Sequence, residues 1–384
     1  MINRIVLNET SYFGRGSRAK LKDEIISRGF QNILLVSDET LEKVGLTALI
    51  SRLLDEIRIP YCRFTHIKPN PTVTNVQEGL QIAQVNKIDA IVAVGGGSVI
   101  DTAKAISIIL ANPEHSSVTS LAGVVQTKNK GVPLIAIPTT AGTAAETTIN
   151  YVITDEVYRR KMVCVDVHDI PICSIIDPDL MQSMPHFLAA TTGMDALTHA
   201  MEGYITKAGW LLPDIFHINA MSLIYKNLAA AVNEKEDIAV EKMAYAQYIA
   251  GMGFSNVGLG IVHSMAHSLG ALCDTPHGLA NAILLPHVLR FNGKACPELF
   301  RNMGKAFELD MNNLSDEEAV EKVVQAVKDL SLKLNIPQTL KEINISPEML
   351  PALSNQALQD VCTAGNPRFV TVQDIYNLYK EAYE

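Results

Sequence analysis

One carboxylate and three imidazoles stand at spacings that suit a metal ion. Asp195 and His199 are four residues apart, which places both side chains on one face of a helix. His263 lies in a second apolar helical segment, and His277 stands on a turn at a predicted helix start. Imidazole nitrogens with one carboxylate suit a divalent ion such as Fe²⁺ or Zn²⁺. The sequence therefore predicts one metal site held by these four residues.

The number of potential ligands favours this interpretation. A single histidine on an apolar helix would be read as a hydrogen-bonded core residue. Here four potential ligands are joined by His267, one helical turn beyond His263, in apolar and small-residue surroundings. We interpret four further histidines as structural; they are His115, His168, His217 and His287.

Three features of the first half are consistent with a dinucleotide site. The glycine turn 95–97 joins an apolar strand to a helix, so its backbone could approach a pyrophosphate at the helix N-terminus. Asp38 ends the first clear strand, where a carboxylate suits ribose hydroxyls and repels a 2′-phosphate. Thr139 and Thr140 directly follow a strand and could line a phosphate or nicotinamide pocket. Asp38 thus favours NAD over NADP, and the three features together favour a nucleotide site.

Each of these features also has a purely structural explanation. The glycine turn lacks the G-x-G-x-x-G pattern and could be a tight connection. Asp38 precedes a helix and could be its N-cap. The threonines could serve turns and caps. The nucleotide site is therefore predicted from the three features together, and from none of them alone.

The elements that must position these residues differ between the two halves. Continuous apolar strands alternate with helices in the first half, which indicates a parallel sheet covered on both faces. We predict strands at 32–37, 61–64, 89–94 and 133–137, and helices at 41–57, 75–86 and 101–110. The second half carries helix-period apolar faces at 186–205, 214–232, 237–272, 316–334 and 373–383.

The predicted fold is thus an α/β N-terminal domain with a Rossmann-like parallel sheet, followed by an all-α C-terminal domain. We place an NAD-binding domain at residues 1–183 and a metal-binding, catalytic domain at 184–384.

Composition excludes several classes of function. The 384 residues carry a net charge of −9, which argues against nucleic acid and anionic membranes as partners. The sequence has no apolar stretch long enough to span a bilayer, and its beginning does not resemble a secretory signal. The six scattered cysteines include no C-x-x-C pair and indicate reduced thiols in a cytoplasmic protein.

Over essentially its whole length the chain resembles the iron-containing alcohol dehydrogenase family, whose fold is shared with dehydroquinate synthase. Several blocks in the same order carry this resemblance. They are 8–16 (NETSYFGRG), 95–98 (GGGS), 136–146 (AIPTTAGTAAE), 150–155 (NYVITD), 251–260 (GMGFSNVGLG) and 365–368 (GNPR).

The resemblance implies roles for individual residues. Asp195, His199, His263 and His277 would hold the iron, and His267 would lie near the substrate as the catalytic proton-transfer group. The implied NAD contacts are Asp38, Asn70, Gly96, Gly97, Ser98, Thr139, Thr140, Asn150, Lys161 and Leu180. Members of the family look like homodimers, and a strand at residues 3–8 exchanged between subunits would suit that state.

The expected substrate is a small aldehyde or alcohol. Asn150 and Phe254 fit a pocket for a short aldehyde such as lactaldehyde, reduced to propane-1,2-diol, with Asn150 bonded to the second hydroxyl. Alternatively, Asn150 holds a turn or touches only the cofactor. Another short alcohol or diol, such as 1,3-propanediol, butanol or ethanol, is the main alternative substrate.

Two departures from the family pattern stand near the predicted pocket. Ser264 follows His263 where the family has glycine, and Ser268 follows His267 where proline is more usual. Both substitutions could alter substrate preference or metal affinity.

Other classes of protein fit the sequence less well. A metal- and NAD-dependent lyase acting on an anionic phosphate would need basic residues near the metal, and segments 193–203 and 258–282 contain no Lys or Arg. A zinc polyol dehydrogenase uses fewer protein ligands. A non-catalytic metal- or nucleotide-binding protein would show no turnover when loaded with metal.

Overall fold

The apolar runs of the first half form a six-stranded parallel sheet. The computed structural model describes residues 2–384, and the chain divides into two units, Met1–Met184 and Pro185–Glu384. The strands of the first unit are β1 (Thr10–Phe13), β2 (Ile33–Val36), β3 (Tyr61–Phe64), β4 (Ala90–Gly95), β5 (Gly123–Val124), β6 (Leu134–Pro138), β7 (Asn150–Asp155), β8 (Arg160–Val165) and β9 (Cys173–Ile176). Its helices are α1 (Lys20–Arg28), α2 (Glu39–Lys43), α3 (Leu46–Glu56), α4 (Val73–Asn86) and α5 (Gly97–Ala111).

The strand order of the main sheet is β1-β9-β6-β4-β2-β3, with parallel neighbours throughout. From β2 the chain moves outward to β3 and then returns to β4 on the other side of β2. Such a reversal creates a crevice at the carboxyl ends of β2 and β4. A smaller sheet, in the order β5-β8-β7, contains the antiparallel hairpin of β7 and β8.

Both faces of the main sheet are buried. Leu34 and Val36 point into one apolar cluster, which includes residues of α4 and α5. Ile33 and Leu35 point into another, which includes residues of α1 and α3. Because successive strand side chains alternate between faces, a strand covered on both sides must be apolar at every position, as β2 is.

The second unit is built from nine α-helices among the residues that the structure describes. These are α6 (His186–Ile205), α7 (Leu211–Asn233), α8 (Asp237–Val257), α9 (Ile261–Cys273), α10 (His277–Gly293), α11 (Pro297–Ala306), α12 (Asp316–Lys333), α13 (Leu350–Leu358) and α14 (Val372–Tyr383). The predicted fold class, an α/β half followed by a helical half, is confirmed.

Two predicted helices are in fact interrupted. The segment 41–57 lies in α2 and α3, separated at Gly45, whose φ of 81° is left-handed. The segment 237–272 lies in α8 and α9, separated at Gly258, whose φ is 80°. Glycine adopts such values without steric cost and therefore ends a helix even where the apolar pattern continues.

The N-terminal strand expected at residues 3–8 does not form within the single chain. Residues 3–8 form no strand, and the first strand is β1, at the edge of the main sheet beside β9. Exchange of that segment with a second subunit stays a prediction.

Helices α6, α7 and α8 pack closely around the imidazole of His217. Gly203 on α6 and Gly253 on α8 face this ring so closely that a Cβ at either position would overlap it. His217 is fully buried, and neither ring nitrogen has a hydrogen-bond partner among residues 2–384. Burial first, and the nearby His199 second, lower the pKa of His217 to about 3.

No helix within residues 2–384 has both the length and the apolar character needed to cross a membrane.

Candidate active site

The four predicted metal ligands converge in the second unit. Asp195 and His199 lie one turn apart on α6, His263 lies in the first turn of α9, and His277 is the first residue of α10. One donor atom from each lies within 4.8 Å of the others. Oδ1 of Asp195 is 4.0 Å from Nε2 of His199, 3.8 Å from Nε2 of His263 and 3.5 Å from Nε2 of His277. One carboxylate oxygen thus faces three imidazole nitrogens.

Glu202 orients one of these imidazoles and was missed from the sequence. Its Oε2 lies 2.6 Å from Nδ1 of His263, so Nε2 of that ring points toward Asp195. The same carboxylate accepts backbone N–H groups of Val262 at 2.8 Å and His263 at 3.3 Å, at the start of α9. The available signal was its spacing, seven residues after Asp195 and three after His199 on one helix face. Such a carboxylate–histidine pair fixes the tautomer of a metal-binding ring.

Asn281, on α10, is a second neighbour that sequence reasoning missed. Its Nδ2 donates to Oδ1 of Asp195 at 2.6 Å and lies 3.1 Å from Nε2 of His277. It also lies 3.3 Å from Nε2 of His263. Its position four residues after His277 puts the two side chains on one face of α10. The amide therefore holds the Asp195 carboxylate in the cluster by a hydrogen bond.

Burial favours neutral imidazole at the centre of the cluster. It lowers the pKa of His263 well below its usual value, and the neighbouring His199 and His277 add to the effect. Burial also raises the pKa of Glu202 to about 7, against the hydrogen bonds from the backbone of Val262, Gly260 and His263. Neutral imidazole is the protonation state in which a histidine binds a divalent ion. The donor set fits such a metal.

His267 lies beside the cluster without belonging to it. Its ring centroid is 5.4 Å from that of His277 and 6.1 Å from that of His263. Its Nδ1 lies 2.8 Å from a carboxylate oxygen of Asp360, a residue that sequence reasoning did not single out. This contact engages Nδ1 and leaves Nε2, the other ring nitrogen, outside the hydrogen bond with Asp360.

Phe254 stacks on the ring of His199. The centroids are 4.2 Å apart and the rings are nearly parallel, at 9°. Phe254 is 3% exposed, so its ring is buried against the imidazole of His199.

The proposed nucleotide residues gather at one edge of the sheet in the first unit. Asp38, Gly96 and Thr139 follow β2, β4 and β6, which are neighbours in the sheet and parallel. The carboxyl ends of these strands therefore meet at the same edge, beside the crevice where open α/β sheets bind ligands.

Within that edge, the glycine turn packs against threonine side chains. A Cβ at Gly96 would lie 3.3 Å from Cγ2 of Thr140, and one at Gly97 would lie 2.9 Å from Cγ2 of Thr143. Gly97 begins α5, a helix of 15 residues whose first N–H groups can bind an anion. The buried hydroxyl of Thr140 has no hydrogen-bond partner among the described residues. The turn thus fits a phosphate group.

Three further predicted cofactor residues lie at the loop that contains Pro69. Ser98 donates to the carbonyl oxygen of Pro69, and Nζ of Lys161 donates to Oδ1 of Asn70 at 2.7 Å. The hydrogen bonds place Asn70, Ser98 and Lys161 around the loop that follows residue 68.

The remaining proposed contacts are more varied. The side chain of Asp38 caps α2 and accepts the N–H of Leu41 at 2.9 Å. Asp38 therefore has the N-cap role that the sequence offered as the alternative to cofactor binding. The carbonyl of Asn150 accepts from the buried Lys104 at 2.9 Å, which fixes the start of β7. Leu180 is 1% exposed and packs in the apolar core, so the structure buries this predicted contact.

Comparison with known protein families gives two matches that divide the chain between them. Residues 8–178 match the iron-containing alcohol dehydrogenase model. Residues 189–383 match the C-terminal model of the Fe-containing alcohol dehydrogenase family. Together they account for both units.

Individual relatives and solved structures agree with these matches. Lactaldehyde reductase of Escherichia coli strain K12 is 50% identical over 383 residues, covering 100% of each chain. NAD-dependent methanol dehydrogenase of Bacillus methanolicus is 38% identical, covering 97% of each. The crystal structure of a 1,3-propanediol oxidoreductase superposes with a TM-score of 0.96 at 38% identity, covering 100% of each chain. The chain therefore belongs to the iron-containing alcohol dehydrogenase family of oxidoreductases.

Proposed function

We propose that this enzyme interconverts lactaldehyde and propane-1,2-diol with NAD(H), at an iron held by Asp195, His199, His263 and His277. The observation that carries the proposal is the convergence of these four donors within 4.8 Å. The identity of 50% to lactaldehyde reductase supports the substrate. Iron in the family description supports the metal, although the same donors would also accept zinc.

When bound, the ion would supply Lewis acidity that polarises the substrate oxygen. The task of the chain is to hold that ion and to move a proton. Glu202 and Asn281 fix His263 and Asp195, respectively, through the hydrogen bonds described above. His267 gives a proton to the substrate oxygen during aldehyde reduction and takes it back during alcohol oxidation. General acid–base help of this kind contributes about 10²–10⁴-fold in rate.

Hydride transfer is the chemistry of the nicotinamide, and the chain binds and orients that cofactor. The start of α5 at Gly97 and the hydroxyl of Thr140 suit the pyrophosphate. The carboxylate of Asp38 suits the ribose hydroxyls and disfavours a 2′-phosphate, which supports NAD over NADP. The remaining cofactor contacts we propose are Asn70, Gly96, Ser98, Thr139, Asn150, Lys161 and Leu180.

Fewer residues support the choice of substrate than support the metal and the cofactor. The side chain of Asn150 would bond the second hydroxyl of a diol, which a simple alcohol lacks. Phe254 would contribute an apolar wall beside His199. Methanol dehydrogenase and 1,3-propanediol dehydrogenase are both 38% identical relatives, and they favour another short alcohol as the second candidate.

We further infer a cytoplasmic homodimer. All six cysteines are free thiols, which supports a reducing compartment. Residues 3–8 form no strand in this chain and precede the edge strand β1, so the same segment of a second copy could extend that sheet. Mass measurement in solution, before and after deletion of residues 2–8, tests the dimer.

The experiment that tests the function is anaerobic NADH oxidation with lactaldehyde. Metal-stripped protein is reconstituted in parallel with Fe²⁺ or Zn²⁺, and propane-1,2-diol, 1,3-propanediol, butanol and ethanol are compared in the oxidative direction. The expected result is lactaldehyde reduction restored by Fe²⁺ and much poorer with NADPH, with propane-1,2-diol oxidised fastest of the four alcohols. Absence of turnover with either metal and every short substrate would overturn the proposal.

A further inference from the structure

The imidazole of His267 is held by a carboxylate from a distant part of the chain. Nδ1 of His267 lies 2.8 Å from Oδ2 of Asp360, and the two side chains are 7% and 8% exposed. Asp360 precedes the short 3₁₀ helix 361–365, where its Oδ1 accepts the N–H of Cys362 at 2.9 Å. Because both carboxylate oxygens are engaged, the side chain has a fixed orientation toward His267.

This hydrogen bond selects one tautomer of the ring. Burial alone would raise the pKa of Asp360, but the His267 imidazole and the hydrogen bonds lower the pKa below its usual value. An ionised carboxylate can only accept, so Nδ1 of His267 must carry the proton in this pair. Nε2 is then the free position of the ring, and it can exchange a proton with a reacting oxygen.

Ser264, one turn before His267 on α9, makes a second contact with the segment that carries Asp360. Its hydroxyl lies 2.8 Å from that of Thr363 and 3.5 Å from Oδ1 of Asp360. Thr363 in turn lies 2.8 Å from the carbonyl oxygen of Ala357, at the end of α13. A glycine at position 264 would remove this second contact and leave the His267–Asp360 hydrogen bond as the polar link described here between α9 and Asp360.

A second metal site is the competing explanation for the same atoms. Donor atoms of His267, Asp360 and Cys362 lie within 4.8 Å of one another. Burial first, with Asp360 adding to it, raises the pKa of the Cys362 thiol well above its usual value. A protonated thiol is a poor ligand, whereas the hydrogen bond between His267 and Asp360 satisfies both partners without an ion.

We propose that Asp360 is a positioning residue, which holds His267 in its Nδ1–H tautomer so that Nε2 can transfer the proton, and that Ser264 and Thr363 brace it. The proposal rests on the function proposed above, in which His267 is the proton-transfer group.

The test compares Asp360→Asn, Asp360→Ala and Ser264→Gly with the unaltered enzyme. Asp360→Ala should lower kcat by about 10–100-fold, as loss of a partner that orients a site imidazole does, with little change in the KM for aldehyde. Asp360→Asn keeps an acceptor oxygen and should retain more activity than Asp360→Ala. Ser264→Gly should have a smaller effect in the same direction. Asp374→Ala is the matched control, since Asp374 is a capping carboxylate of α14 that bonds Thr371.

A spectroscopic readout separates positioning from general loss of structure. In the zinc-loaded protein labelled with ¹⁵N-histidine, His267 should show the Nδ1–H tautomer, and Asp360→Ala should shift it toward a mixture. The His267 signal is assigned by its loss in His267→Ala. Thermal unfolding of each variant, compared with Asp360→Asn, reports any loss of folded protein.

Two outcomes would overturn the proposal. Unchanged kcat and an unchanged His267 tautomer in Asp360→Ala would remove the positioning role. Loss of one of two metal equivalents per chain in that variant would establish the second metal site instead. If the unaltered enzyme has no turnover, the function proposed above fails, while the tautomer measurement still decides what Asp360 does.

Discussion

The carboxylate of Glu202 lies 2.6 Å from Nδ1 of His263, and it also receives the first N–H groups of α9. One side chain on α6 therefore contacts both the start of α9 and the imidazole of His263, and it sets how that ring is turned. Gly260 leaves room for this contact, since a Cβ there would lie 2.7 Å from Oε1 of Glu202.

Loss of this carboxylate should weaken metal binding more than folding. Glu202→Ala frees the His263 ring and is expected to lower metal affinity by about 10–100-fold. Glu202→Gln retains one acceptor oxygen and should fall between the alanine variant and the unaltered enzyme. Chelator competition for Zn²⁺ and Co²⁺ measures the affinities. Glu317→Gln, an exposed site on α12, is the control, and equal affinities in all four proteins would contradict the role of Glu202.

His263 and His267 should separate metal binding from proton transfer. His263→Ala removes a donor of the cluster, so both the bound metal and the activity should be lost. His267→Ala should keep the metal and lose about 10²–10⁴-fold in turnover. Metal content per chain, measured beside kcat, checks the difference. Equal metal loss in the two variants would remove the role assigned to His267.

Asp38 should determine the choice of cofactor through its charge alone. Since Asp38 also caps α2, a serine there would keep a capping oxygen while removing the negative charge. We expect Asp38→Ser to raise kcat/KM for NADPH relative to NADH with little change in Tm. Asp38→Ala should show the same cofactor shift and cost about 0.5–2 kcal/mol of stability through the lost cap. An unchanged cofactor ratio in both variants would leave Asp38 with its capping role only.

The ring of His217 and the glycines around it should behave as one packing unit. Gly253→Ala adds a Cβ that overlaps the ring, and we expect a loss of about 1–3 kcal/mol in the free energy of unfolding. His217→Ala makes room for that Cβ. The double variant should therefore lose less than the sum of the two single losses, by denaturant titration of all four proteins. Strict additivity would show that the overlap is relieved elsewhere.

Buried His217 should also lower the free energy of unfolding as the pH falls. Its pKa is lowered to about 3 in the folded protein, whereas an exposed histidine titrates near 6.5. Below about pH 6.5 the unfolded chain binds a proton that the folded chain does not, so stability falls as the pH falls toward 3. The expected slope from this one group is up to about 1.4 kcal/mol per pH unit.

Comparison with His217→Phe isolates that contribution. The phenylalanine variant cannot take up this proton, so its free energy of unfolding should depend less on pH between 6.5 and 4. Parallel curves for the two proteins would mean that His217 does not contribute to the acid sensitivity.

Local patterns in the sequence predicted most of the elements and singled out the candidate metal ligands. The spacing of four between Asp195 and His199 determines that both lie on one helix face. The apolar run before Gly95 determines a buried strand that ends in a glycine turn. These relations involve neighbours along the chain, and helix and strand periods convert them directly into geometry. The predictions failed at Gly45 and Gly258, where a left-handed glycine ends a helix inside a continuing apolar pattern.

Only the tertiary structure decided which polar groups contact the candidate metal ligands and His267. Glu202 reaches His263 across 61 residues, Asn281 reaches Asp195 across 86, and Asp360 reaches His267 across 93. Each is a polar side chain on a helix or at its end, and its local sequence is equally compatible with a solvated surface. What gives it a role is burial against a partner from another element, because removal from water leaves each polar group dependent on the one that it meets. That pairing is set by how the helices pack, which no local spacing records.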